Sequence, residues 1–403
     1  MSQMQAQPQT LGGAVAVASP PSTFVRDSRT WLMYLLLALF GFSQGVLGSV
    51  MPFVRDDLAL GTKSVSWHFS IYAVGLFLSG FPSRWLLRRT DRLALAWGSV
   101  GSIVGSVLLF AVSTNVVATL ASAFLMGLTG GVVQATIQAD LALRHGERRD
   151  VAVTEAYIVA GIGVFLCPLM IGQTTQIGLT WRWALAVPLF GMAIIALGFR
   201  GSVARDGARE EEAARVSAHD KALPAAVYVA WLLVLLGIST EWGTAFWGAQ
   251  FLQEQLSVDK SFAVSMMSLF FGGTIAGRLL NSRLLRHLSS ALMLGISIAA
   301  GGGAVLLLWL VPSMWAAVPA LVIAGFCLGN FYPLILGVAL RAAPDQAASV
   351  SAGCAQAVGV ALLTAPMALG LLSERIGLVN AVGTLTVFPL CMAILLATTR
   401  RAT

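Results

Sequence analysis

Apolar residues run through this chain in long, nearly unbroken blocks, with polar residues gathered into the short gaps between them. A bilayer core ~30 Å thick takes about 20 helical residues per crossing. The blocks predict twelve such spans, at 31–54, 66–87, 93–113, 115–139, 151–174, 183–199, 225–252, 262–280, 291–311, 316–339, 347–372 and 378–398. The polar stretch 201–222, with Arg205, Arg209 and the run Glu210, Glu211, Glu212, separates six spans from six and predicts a linker between bundles at 29–200 and 223–398. Residues 1–28 are rich in Gln, Ala, Ser and Pro and lack the basic start, apolar core and cleavage site of a signal peptide, so a disordered tail is expected there. Residues 399–403 form a second, short tail.

Composition agrees with this pattern. With 57% hydrophobic and 11% charged residues, the chain falls far from soluble domains, where roughly a quarter of residues carry charge. The net charge of +7 reads as topology. Of the 25 Lys and Arg, all but Arg55, Lys63, Arg182, Lys260 and Arg375 fall on one side when the twelve spans alternate. The positive-inside rule then puts both termini in the cytoplasm, with the plasma membrane as the expected location. Dispersed over short loops, these cations make no nucleic-acid face. Cys167, Cys327, Cys354 and Cys391 lie inside spans as small apolar residues, and His68, His145, His219 and His287 stand apart without ligand spacing. With no Gly-Lys-Ser phosphate loop either, neither a metal, a cofactor, an enzyme nor an ATP-driven pump is expected.

The two halves are related. Sliding the sequence along itself by 198 residues sets Gly127 on Gly325, Gly131 on Gly329, Gly161 on Gly359, Pro168 on Pro366 and Gly172 on Gly370. The second and eighth spans agree at that offset through Gly75 with Gly273 and Arg88 with Arg286, while an offset of 196 sets Gly41 and Ser43 on Gly237 and Ser239.

A parallel six-span repeat is the architecture of the major facilitator superfamily, and residues 31–398 resemble that family. Its signature after the second span is Gly, three residues, Asp, Arg, two residues and a basic pair. Gly80, Arg88 and Arg89 match it, but Arg84 stands at the Asp position. In the fourth span, Ala123 occupies the place of an expected Arg. The fifth-span antiporter signature is kept by Gly163, Pro168 and Gly172, with Cys167 in place of its second Gly. Glu241 and Trp247, followed by Phe271, Gly272, Gly273, Gly277 and Arg278, look like the fucose permease branch, which imports polar metabolites with protons. The acids that branch uses in the first and fourth spans are not reproduced; Gln134 sits about where the second belongs.

The resemblance implies an all-α membrane fold of two pseudo-symmetric six-helix bundles acting as a monomer. Its solute path lies between the halves, near mid-membrane, lined by the first, fourth, seventh and tenth spans. Secondary active transport of a small organic solute by alternating access follows, a class too broad to name the solute, with uptake and efflux both open. The alternative is a transporter-like fold that serves as a sensor or scaffold.

An ionisable side chain held in the membrane costs at least ~2.5–3.5 kcal/mol, which singles out three carboxylates. Glu241 is midway along the seventh span, without a basic residue in that span. Desolvation penalises a charged carboxylate, so reversible protonation and proton coupling are expected of it, against a structural, hydrogen-bonded Glu. Asp140 and Glu155 flank the loop of Arg144, His145, Arg148 and Arg149, where salt bridges or a proton relay are expected. Candidate solute contacts are Gln44, Gln134, Gln138, Asn330, Tyr332 and Gln356, with Trp242 and Trp247 as an aromatic wall; each equally suits a helix-packing seam or an interface anchor. Pro168 and Pro366, each followed four residues on by Gly172 and Gly370, are candidate hinges.

Overall fold

The computed structural model describes residues 24–200 and 223–401. The expected linker at 201–222 and most of the two expected tails lie outside them. The first half comprises α1 (Ser28–Asp57), α2 (Thr62–Leu78), α3 (Gly80–Arg89), α4 (Arg92–Val112), α5 (Val116–His145), α6 (Arg149–Gln176), α7 (Trp181–Ala184) and α8 (Val187–Gly198). The second comprises α9 (Ala225–Leu256), α10 (Lys260–Leu284), α11 (Ser290–Leu310), α12 (Met314–Leu328), α13 (Phe331–Ala342), α14 (Ala347–Ile376), α15 (Leu378–Gly383) and α16 (Val387–Arg401). No strand occurs among the described residues.

The polar gaps start the helices. Asp27, Asp91, Asn115, Asp259 and Ser289 each cap an N-terminus by accepting from a backbone N–H two or three residues on. Among the described residues, eleven segments are long and apolar enough to span a membrane. The remaining span is α2 with α3, interrupted at Ser79. That residue keeps right-handed helical angles, and its N–H still bonds Gly75, so the break is a local adjustment within one crossing. The break between α12 and α13 precedes Pro333, whose missing N–H cannot bond back to Gly329. Large apolar side chains such as Phe190, Ile194, Leu310 and Trp315 stay exposed because they face lipid.

Glycine lets the helices cross closely, and the crossings repeat. A Cβ on Gly75 would strike the Phe124 carbonyl and one on Gly127 the Tyr72 carbonyl; a Cβ on Gly273 would strike Val322 and one on Gly325 the Phe270 carbonyl. Each second pair is the first moved by the 198-residue offset, so α2 meets α5 as α10 meets α12. Between the halves, α2 packs on α14, α6 on α10 and α1 on α9. The first two seams carry matching hydrogen bonds at the same offset: Ser70 Oγ donates to the Leu363 carbonyl at 3.0 Å, and Ser268 Oγ to the Phe165 carbonyl at 3.1 Å.

The end of the molecule that carries the two chain ends differs from the opposite, distal end. At the distal end Arg55 pairs with Glu254 at 3.3 Å and Lys260 with Asp56, both across the halves. At the terminal end the ion pairs among the described residues stay within the first half. Arg29 pairs with Asp140 and Arg26 with Glu155, while Arg144 pairs with Asp27. The halves are joined from the distal end to about mid-membrane, where Gly161 meets Ile275 and Gly359 meets Phe77.

Candidate functional site

Glu241 lies sixteen residues into α9, roughly 24 Å from its start at 1.5 Å per residue. It is 8% exposed, and among the described residues its carboxylate has neither a hydrogen bond nor an ion pair. No base is supplied by its own helix, as expected. The neighbouring α10 supplies one. Arg278 was counted with the loop cations, yet it stands six residues inside α10, half-buried, close enough for its charge to act on Glu241 and on Tyr157. No ion pair or hydrogen bond within the described residues engages this guanidinium.

Tyr157, on α6, was not foreseen. Gln134 and Gln138 are four residues apart on α5, hence on one face, and both amides donate to its phenolic oxygen at 2.5 Å. Two of the glutamines expected to meet solute thus hold a tyrosine that faces the other half. Tyr332 of α13 lies close enough to interact with both Tyr157 and Cys354 of α14. Gln356 is exposed and shares a face of α14 with Gly359 and Leu363, which meet the first half, so it borders the gap where the halves part. Trp242 is half-buried and packs on Phe246, with ring centroids 5.1 Å apart.

Other candidates serve the packing. Trp247 is fully buried, donating to the Pro366 carbonyl at 3.1 Å and meeting the Phe69 ring edge-on, so it joins α9 to α14 and α2 and has no surface for a solute. Asn330 donates to the Phe326 carbonyl at 2.7 Å at the joint before Pro333, against Gly277. Gln44 sits beside the Tyr72 hydroxyl. Gly163 admits the α1 backbone at Ala38, while Gly172 meets Ser265 and Gly370 meets Ser66 in the two seams. These glycines, with Pro168 and Pro366, form contact lines between helices.

At the terminal end, Asp140 and Glu155 find partners other than the loop arginines beside them. Arg29 and Arg26, which precede or open α1, reach across to them. Residues 24–27 are therefore packed structure where a tail was expected, with Phe24 also against the His145 ring. Gly80 borders open space, Arg88 and Arg89 are exposed, and Arg89 lies over the Trp85 ring at 4.9 Å. The side chain of Arg84 is outside the described set.

The sequence profile of a known family, the Major Facilitator Superfamily, matches residues 33–362. The chain belongs to that superfamily. It is therefore a multi-pass membrane protein of a family of secondary transporters, which are not enzymes. The galactose-proton symporter of Escherichia coli K12 is 26% identical over 165 residues, 40% of this chain and 34% of the relative, so the match spans about a third of that relative's length. Among solved structures, a bacterial homologue of the human lysosomal transporter Spinster, inward-facing and occupied, superposes with a TM-score of 0.74 at 14% identity, covering 93% of this chain and 97% of that one. The nucleoside transporter NupG, as a mutant, superposes with a TM-score of 0.72 at 13% identity, covering 92% and 98%. At such identities the likeness is one of fold.

Proposed function

We propose that the protein is a proton-coupled secondary transporter of a small organic solute, working by alternating access as a monomer in the plasma membrane, with both termini cytoplasmic. The observation that carries the reading is Glu241: a buried carboxylate midway along α9, a helix that packs on α1 of the other half, with no hydrogen bond or ion pair among the described residues. A membrane acid without such bonds is a natural site for a transported proton. On the orientation given by the basic residues, the distal ion pairs close the outer side and the cleft opens to the cytoplasm. The partial similarity to a galactose-proton symporter supports coupling to protons.

The test is transport in proteoliposomes under an imposed pH gradient. Glu241→Gln keeps the shape and removes the titration. Exchange of solute across the membrane is expected to survive, and accumulation against a gradient to collapse. Undiminished accumulation by this variant would make Glu241 structural and defeat the reading.

A further inference from the structure

The cleft has a charge problem that points to its solute. Arg278 cannot be deprotonated, and inside a membrane helix an unpaired charge is costly. Its helix packs on α9, which carries Glu241, and Gly161 of α6 meets Ile275 one turn from Arg278, which brings Tyr157 to the same level; Glu241 forms no ion pair with it. The elements packed around the two add only neutral groups there. These are Gln134 and Gln138 from α5, Tyr157 from α6, and Tyr332 from α13 with Cys354 of α14 beside it. The nearest other acids, Asp140 and Glu155, are committed to Arg29 and Arg26 at the terminal end. When Glu241 holds a proton, the cleft keeps one uncompensated positive charge.

Tyr157 adds a donor beside it. Its oxygen already accepts from both Gln134 and Gln138, which uses its two acceptor positions and leaves the O–H to donate. A guanidinium and a directed hydroxyl at one place match a carboxylate.

We propose that the cleft binds a small organic monoanion, its carboxylate held by Arg278 and the Tyr157 hydroxyl while Glu241 is protonated. This deepens the transport reading and rests on it. The charges balance in both states. Empty, the Arg278 cation is offset by ionised Glu241; loaded, it is offset by the solute, and Glu241 takes up one proton. Anion binding thus neutralises the cation near Glu241, and one proton travels with one anion, without net charge movement.

The experiment uses the purified full chain in detergent and reads its thermal unfolding midpoint against acetate, lactate and benzoate, each compared with its amide. At least one carboxylate is expected to bind more tightly than its amide by roughly 10- to 100-fold, the range of a charge-assisted hydrogen bond. Its affinity should fall as pH rises while the carboxylate itself stays ionised. Arg278→Gln should erase the preference and Arg278→Lys restore part of it. Tyr157→Phe should weaken the carboxylate alone. Glu241→Gln should keep the preference and lose the pH dependence. Equal binding of acids and amides, no response to any acid, or a preference that survives Arg278→Gln would overturn the proposal. Because binding is read without transport, failure of Glu241→Gln to abolish accumulation would count against coupling and leave the anion site standing.

Discussion

The two halves share their packing and differ in where they keep their charge. Gly127 meets Tyr72 as Gly325 meets Phe270, and Ser70 bonds Leu363 as Ser268 bonds Phe165. In the first half the buried charges, Arg29 and Asp140, sit at the terminal end and cancel each other at 7% and 4% exposure. The repeat puts Ala225 and Val338 at the equivalent places in the second half. That half instead carries Glu241 midway along α9 and Arg278 in the last two turns of α10, where the first half has Gly45 and Gly80. Helix crossings tolerate little change after duplication, because backbone against backbone leaves no room for a side chain. Charges are free to diverge. The first half uses them to tie α1 to α5 and α6, and the second keeps them in α9 and α10.

The largest effect on stability is expected from the charge that has no counterpart. Arg29→Ala or Asp140→Ala alone strands a buried ion and should cost about 3–5 kcal/mol, read by unfolding in detergent. The pair Arg29→Ala with Asp140→Val, which copies the second half, should recover most of the loss. A double variant no better than either single one would mean the halves are not equivalent there. Next, Gly127→Ala and Gly325→Ala should each cost about 1–3 kcal/mol or more, by overpacking, and by similar amounts. A large inequality would break the symmetry of the two crossings. The smallest effect is expected at the seams, where Ser70→Ala and Ser268→Ala each remove one interhelical hydrogen bond, about 0.6 kcal/mol in a membrane. Equal, small shifts in unfolding midpoint would show that both seams are held mainly by packing.

Much of the first-half terminal end was half-legible. The sequence marks Asp140 and Glu155 as acids needing cations, but the nearest candidates along the chain were Arg144, Arg148 and Arg149. Their partners Arg29 and Arg26 are more than a hundred residues away in sequence and arrive because α1 packs against α5 and α6. Trp247 looked like part of an aromatic wall. Its helix does turn it inward, but into the seam with α14, where the Pro366 carbonyl takes its N–H.

Span number, the alternation of basic loops and the glycine register at 198 residues belong to the sequence alone. Hydrophobic length and backbone clearance are local properties, and each leaves its mark at the residue that supplies it. The site belongs to the tertiary structure. Glu241, Arg278 and Tyr157 lie on three helices from both halves, and nothing in the spacing along any one of them says that they meet. Only the packing of α6 against α10 and of α10 against α9 brings together the helices that carry the phenol, the guanidinium and the carboxylate, because electrostatic partnership depends on distance through space and leaves no periodic trace in the chain.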